Sequence, residues 1–403
     1  MRIAMVGPFG LHPNKTMESR ALGLARPLVA QGHAVRLLMP PWQTPAEANR
    51  SWEIDGVEMR YVPLHGGTLG IAQGLLHETL AWEPDIVHCF KPKAYSGLVA
   101  WWLWQTRRKR LPLVVDTDDW EGWGGWNDLA PYSPLQKHFF AWQERWGMSH
   151  CHLLTVASRA LQSLAWGAGI AAEKVVYLPN GAGVSEQLTV NSGQSAGVEQ
   201  VRERLGGRPT VLLYSRLFEF DTGRLVQILR AVQTAVPDVT ILSIGAGLYD
   251  ADADALRAQL GPLQDAFVDV GWVELELLPA LLRCADVGLY LMEDSLLNRT
   301  KCPVKLADMI AVGLPVVGET VGQVPAYVIN GRSGLLYDSG GVASIAAGLV
   351  DLLQHQPKRD EFGWQAQQHY QTNFRWQMLA QRLEGHYRRV ASPVGRMPRN
   401  SYE

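Results

Sequence analysis

Between Asn298 and Val317 the sequence reads Asn-Arg-Thr-Lys-Cys-Pro-Val-Lys-Leu-Ala-Asp-Met-Ile-Ala-Val-Gly-Leu-Pro-Val-Val. Its charged groups are the cations Arg299, Lys301 and Lys305 and one carboxylate, Asp308. Pro303 suits a first helical turn, where its missing N–H is no loss. The unpaired N–H groups of such a turn carry partial positive charge and favour an anion. Lys305 and Asp308, three residues apart, share a helix face, so a cation and an acceptor could meet the phosphate and the hydroxyls of one nucleotide. Gly313 stops the helix, and Pro315-Val316-Val317 opens a short buried strand.

Further candidates follow other strands. His88 ends the strand Asp85 to Cys89, and ligands bind at strand ends of open parallel sheets, although a satisfied core histidine fits there equally well. Asp116-Thr-Asp118-Asp119-Trp120-Glu121 is the densest acidic run and also follows a buried strand. Asp118 and Asp119 are therefore candidates for a catalytic or acceptor-side role. Gly7-Pro-Phe-Gly10 follows the first strand; it lacks the full dinucleotide fingerprint and reads equally as a tight turn or as a ligand contact.

The elements that position these groups alternate between strand and helix. The first half gives strands at Ile3 to Val6, Ala34 to Met39, Val57 to Tyr61, Asp85 to Cys89, Leu113 to Val115 and Leu153 to Val156, with a helix near Glu18 to Ala30. The second gives Thr210 to Tyr214, Thr240 to Ile244, Val268 to Val270, Val287 to Leu291, Leu314 to Val317 and Gly334 to Tyr337, with a helix from Gly223 to Ala235. Near-continuous apolar strands separated by helices imply parallel, doubly wound sheets. Two Rossmann-like α/β domains are expected, at 1–185 and 205–365. The polar, glycine-rich run from Val190 to Gly197 reads as a linker or surface loop. The tail near 370–390 has the spacing of an amphipathic helix, which by itself would suit a plain last helix on the second domain.

At 403 residues the chain is long for one core and comfortable for two. With 19% charged and 47% apolar residues it belongs among folded globular proteins. A formal net charge of -2 gives no support to a nucleic-acid partner, so any anion site must be local. Cys89, Cys151, Cys284 and Cys302 form no Cys-x-x-Cys pair, which argues against a zinc site or a disulfide framework and for a reducing cytoplasm. Met1 leads directly into a strand, so no signal peptide is expected, and no uncharged apolar run approaches the roughly 18 residues of a membrane span. Trp101-Trp102-Leu103-Trp104 followed by Arg107-Arg108-Lys109-Arg110 has the chemistry of a peripheral membrane contact at the inner membrane face. Helix-to-sheet packing with a solvated basic end is the preferred reading of those residues.

The 305–317 segment resembles glycosyltransferase family 4, whose members typically read Lys-x-x-Glu-x-Met-Ala-x-Gly-x-Pro-Val-Val; Lys305, Asp308 in the place of the Glu, Ala311, Gly313, Pro315, Val316 and Val317 fall on it. The likeness continues in Val321-Gly322-Gln323, in Asn330-Gly-Arg-Ser-Gly-Leu-Leu336, in Pro179-Asn180-Gly181 and in the opening strand. That resemblance implies a GT-B fold, with two Rossmann-like domains facing a cleft and a last helix, near 370–390, that packs back on the first domain. It also implies a retaining glycosyltransferase that takes a nucleoside-diphosphate sugar as substrate and passes the sugar to a sugar, lipid or small-molecule acceptor, with no metal and no further cofactor. It places Arg216, Lys301 and Lys305 on the diphosphate, Asp308 on the ribose, and Gly7, Gly10 and Gly322 around the donor. Asp308 is itself a departure from the family's Glu, and two more stand out: Thr300 where the family has a first Glu, and Asp221 where it has a Lys. They keep a non-catalytic or scaffold protein of the same fold in view, beside a nucleotide-sugar epimerase. Trp120, Trp123 and Trp126 could form an aromatic wall for an acceptor.

Overall fold

The computed structural model describes residues 1–13, 15–183, 196–245 and 250–392. The chain divides into two compact units. The first comprises Met1–Gly181, Thr300–Cys302 and the chain from Trp376; the second comprises Ala182–Arg299 and Pro303–Arg375.

In the first unit, β1 (Arg2–Val6), β2 (Ala34–Met39), β3 (Ser51–Ile54), β4 (Val57–Tyr61), β5 (Ile86–Phe90), β6 (Leu113–Thr117), β7 (Leu153–Val156) and β8 (Val175–Tyr177) form one sheet in the order β3-β4-β2-β1-β5-β6-β7-β8. Every residue of β5, β6 and β7 is buried, the pattern of strands covered on both faces. Each face carries its own apolar cluster. One contains Ile3, Met5, Leu24 and Leu28, the other Val6, Val87, Val99 and Leu103. Only β3 runs antiparallel, on β4. Between them Asp55 and Gly56 both take positive φ, 51° and 79°, the geometry of a two-residue Asp-Gly hairpin. The strand β3 was absent from the sequence reading, although that dipeptide signals it.

The second unit has β9 (Thr210–Tyr214), β10 (Thr240–Ile244), β11 (Phe267–Asp269), β12 (Val287–Tyr290), β13 (Val316–Glu319) and β14 (Gly334–Tyr337), all parallel, in the order β11-β10-β9-β12-β13-β14. Strand order therefore reverses between β9 and β12, as it does between β1 and β5 in the first unit. These reversals open a crevice at the strands' carboxyl ends.

Two boundaries differ from expectation. Residues 190–195 of the expected linker lie outside the described residues, and from Ala196 the chain is helical to Leu205. The second unit runs on to Arg375, because the helix Gln356–Asn373 packs on the helix Val304–Ala311 and Phe374 stacks on Tyr327 with centroids 4.3 Å apart. The last helix, Trp376–Ala391, belongs to the first unit and buries Leu379, Leu383 and Tyr387 against the helix Leu22–Ala30 and the sheet below it.

That packing leaves no room at Gly23, where an added Cβ would lie 2.6 Å from the Trp376 ring. Gly23→Ala should therefore lower stability by about 1–3 kcal/mol despite alanine's better helix propensity, as overpacking usually does. A urea midpoint at or above that of the parent would show that the two helices simply spread.

Candidate active site

The helix Val304–Ala311 starts one residue later than the sequence suggests. Pro303 caps it with φ -76° and ψ 108° instead of opening its first turn. Lys305 and Asp308 then point toward the carboxyl end of β9, and both meet Tyr214. Lys305 Nζ lies 4.8 Å from the Tyr214 ring centroid, and the Tyr214 hydroxyl donates to Asp308 Oδ2 at 3.4 Å. Asp308 is 2% exposed, and its Oδ1 accepts from the Gly183 backbone N–H at 2.6 Å. Burial, reinforced by Asp308, holds the Tyr214 phenol well above its ordinary value, so it stays a donor. A recess beside these groups is lined by Tyr214, Ser215, Glu219, Tyr290, Leu291 and Lys305, from the ends of β9 and β12. It sits at the reversal of strand order, where a parallel sheet offers backbone groups to a ligand.

Glu319, at the end of β13, fixes the surroundings of that recess. It is fully buried and accepts from both terminal nitrogens of Arg224, at 2.6 and 3.1 Å, from Met292 N at 2.7 Å and from Gly340 N at 2.8 Å. A buried carboxylate with four donors is held rigidly, and it ties the end of β12 to the helix Thr222–Ala235. Gly322 takes φ +52°, and an added Cβ there would lie 2.6 Å from the Arg299 backbone, so only glycine fits the turn. Arg216, just past β9, is half-buried with its guanidinium 5.0 Å from the Phe218 ring. Asp221, in place of the family's Lys, caps the helix Thr222–Ala235 by accepting from Arg224 N at 2.7 Å.

In the first unit the acidic run meets cations that the sequence reading overlooked. Asp116 forms a two-pronged pair with Arg20 at 2.7 Å for each contact, both side chains fully buried, while Arg20 Nη1 also donates to Asn180 at 2.8 Å. Lys91 lies 3.1 Å from each of Asp118, Asp119 and Glu121, and Lys93 pairs with Glu121 at 2.5 Å. Burial would lower Lys91, but its carboxylate neighbours overcome that and hold the ammonium well above the ordinary lysine value. Burial likewise pushes Asp118 up to about 6, against the pull of Lys91. Glu144 is fully buried with no hydrogen-bond partner for either oxygen, and burial beside Glu121 drives it toward the neutral acid. Lys91 has a left-handed φ of 46° and Ala94 one of 48°, strain concentrated on the loop that carries this cluster.

Residues 15–181 match the model of the glycosyl transferase 4-like domain, and residues 208–355 that of glycosyl transferases group 1. The chain belongs to the family 4 type of glycosyltransferase. A phosphatidyl-myo-inositol mannosyltransferase of Mycobacterium leprae is 25% identical over 97% of this chain and 98% of its own. A GDP-mannose-dependent alpha-(1-6)-phosphatidylinositol monomannoside mannosyltransferase of Mycolicibacterium smegmatis is 27% identical over 46% of the chain and 49% of its own. Among solved structures, a sucrose-phosphate synthase from Thermosynechococcus elongatus superposes with a TM-score of 0.72 at 16% identity, covering 97% of this chain and 99% of that one. HepE of Anabaena, in complex with UDP-glucose, gives 0.67 at 19% identity over 96% and 99%. The fold is GT-B.

In this glycosyltransferase the expected donor residues belong to both units. Lys305 and Asp308 converge on Tyr214, whereas Lys301 is counted with the first unit, its ammonium 5.4 Å from the Trp126 ring. Gly7 and Gly10 are buried, Gly7 beside Met17 and Gly10 beside the Tyr61 hydroxyl. Of the candidate catalytic groups, Asp118 and Asp119 are bound by Lys91, and Trp120 is turned inward, donating to the Trp123 carbonyl at 2.8 Å. Of the two readings open for His88, its surroundings fit the satisfied core histidine and not the catalytic candidate: it is fully buried inside the first unit, with Nδ1 2.6 Å from the Tyr387 hydroxyl and Nε2 3.2 Å from Thr155 Oγ1. Among the overlooked residues, Lys91-Pro-Lys93 directly after an apolar strand was a readable signal. The distance-spanning Arg20–Asp116 pair was not.

Burial lowers His88 from the ordinary 6.5 to about 4. The unfolded chain therefore takes a proton near pH 6.5 that the folded chain refuses until about pH 4, so this residue's share of stability is present above pH 6.5 and lost as pH falls through that window. The loss should be on the order of 3 kcal/mol. Comparing urea midpoints at neutral pH and near pH 4.5 for the parent and for His88→Gln tests this: the variant should show the shallower drop, and parallel drops would refute it.

Proposed function

We propose that this glycosyltransferase moves a sugar from a nucleoside diphosphate donor, held by the second unit, to an acceptor bound mainly by the first, with retention at the anomeric carbon and without a metal ion. The carrying observation is the convergence of Lys305, Asp308 and Tyr214 on the recess where the second sheet reverses. The names of the mannosyltransferase relatives and the UDP-glucose complex of HepE favour a donor of this class. In this reading Lys305, Arg216 and the N–H groups at Val304 stabilise the negative charge that grows on the departing diphosphate. Asp308 accepts from the ribose hydroxyls. Its contact to Tyr214 is long at 3.4 Å, and a carboxylate has about four lone-pair sites to share. The acceptor is a sugar, a lipid or a small molecule. The four cysteines are free thiols, three of them buried, which suits the cytoplasm proposed for the enzyme.

The two site residues should fail differently. Lys305→Ala should raise the barrier to turnover by about 2–4 kcal/mol, the scale for one preorganised electrostatic group. Asp308→Asn should act mostly on donor binding, by about 1–3 kcal/mol. Calorimetry and initial rates with a panel of UDP-, GDP- and ADP-sugars separate these effects. Donor affinity and turnover within twofold of the parent in both folded variants would refute the assignment. Donor binding by the parent with no transfer or hydrolysis would favour a non-catalytic protein using the same recess, the reading that the capping role of Asp221 supports.

Metal independence is tested separately. Lys91 and Lys93 already neutralise Asp118, Asp119 and Glu121, so turnover should persist in excess EDTA. Loss of activity in EDTA with recovery on adding magnesium or manganese would instead give that cluster an ion to hold.

A further inference from the structure

The helices Ala94–Arg107 and Pro134–Ser149 pack together in the first unit, burying Val99, Ala100, Leu103, Ala141 and Met148. The opposite side of the second helix carries a stripe at helical spacing: Leu135, Phe139, Trp142 and Trp146. Leu135 is 81% exposed, Trp142 44% and Phe139 36%. Their rings form a continuous ladder. Phe139 stacks on Trp142 with centroids 5.8 Å apart, Trp142 lies 6.0 Å from Trp146, Trp146 stacks on His150 at 4.3 Å, and His150 meets Trp104 of the neighbouring helix at 5.9 Å. There the ladder reaches the basic end: the Arg108 guanidinium lies 5.9 Å from the Trp104 ring, and Arg107, Arg108, Lys109 and Arg110 are all exposed. Helix-to-sheet packing accounts for Leu103 and its buried neighbours. It does not account for the ladder.

Charge on this face is one-sided. From Ala94 to Val115 there is no Asp or Glu, and from Leu129 to Ala172 the only one is Glu144, which is fully buried. Arg145 adds a further exposed cation beside the stripe. Asp128, exposed in the loop that meets Lys137 of this helix, is the one carboxylate nearby in sequence, so a chain of formal charge -2 has placed mostly cations around a row of half-exposed rings.

We propose that this face docks the enzyme on a membrane surface bearing anionic phospholipids. Amphipathic rings settle at the boundary between headgroups and acyl chains, while arginine and lysine bind the phosphates above them. A second copy of the chain is disfavoured, because a two-fold contact would set this cationic face against itself. No helix among the described residues is long and apolar enough to cross a membrane, so the attachment is peripheral and falls with rising salt.

The test is sedimentation of the full chain with vesicles of phosphatidylcholine, alone or with phosphatidylglycerol added. Binding should require phosphatidylglycerol. Combining Arg107→Glu, Arg108→Glu and Lys109→Glu should weaken it at least about 100-fold, and Leu135→Asp with Trp142→Asp at least about tenfold. Leu135→Asp alone, at a position too exposed to threaten folding, should show a measurable part of that loss. Three results would overturn the proposal: no binding of the parent to phosphatidylglycerol vesicles, binding unchanged in every variant, or a dimer in light scattering that Leu135→Asp converts to monomer.

Discussion

A parallel sheet covered on both faces can present polar chemistry to a ligand only at its strand ends. That constraint organises both units of this glycosyltransferase. Along β5, β6 and β7 every side chain is buried, and in the second unit β9 and β10 are nearly as closed. Backbone ladders consume the N–H and C=O groups of the strands, so charges collect where the ladders stop. In the second unit that place holds Tyr214, Lys305 and Asp308; in the first it holds Asp116, Asp118 and Lys91.

The two collections are organised differently. In the first unit the carboxylates have been given cations from their own fold, and the pairing is deep enough to hold Lys91 charged against the cost of burial. Asp116 shares Arg20 with Asn180, and Asn180 in turn donates to the Cys302 carbonyl at 2.8 Å, so one buried network joins β6, the Pro-Asn-Gly motif and the Thr300–Cys302 segment within that unit. Breaking such a pair by removing one partner leaves an uncompensated buried charge, the most damaging kind of electrostatic change. In the second unit the strongest lock, Glu319 with Arg224, lies at the neighbouring strand end. It fixes the frame around the recess and leaves Lys305 against an aromatic face.

A third feature belongs to the outside of the first unit. Tryptophan there is spent in two ways: Trp82 and Trp120 fill the interior, while Trp123, Trp142 and Trp166 each keep nearly half their surface exposed. Exposed rings singly mean little; a ladder continuous over two helices and bordered mostly by cations is a surface with a direction.

The periodicity of apolar residues was enough to place most strands, and the Lys305–Val317 motif identified a helix there and the family, because both are local: strand burial, helix spacing and glycine stops are written within a few residues of each other. The bend at Asp55-Gly56 was equally local and went unread. What depended on tertiary structure was every pairing across long sequence separations. Asp308 meets Gly183 and Tyr214, His88 meets Tyr387, and Asp116 meets Arg20, over separations of 94 to 299 residues. Those partners are chosen by strand order and helix packing, which no single segment encodes. The same holds for Lys301: four residues from Lys305 in sequence, it is assigned by the packing to the other unit. Residue type and spacing therefore determined which groups could do chemistry, and the fold decided which of them are neutralised, which are buried in the core and which line the recess, because burial and counter-charge are properties of neighbours brought together in space.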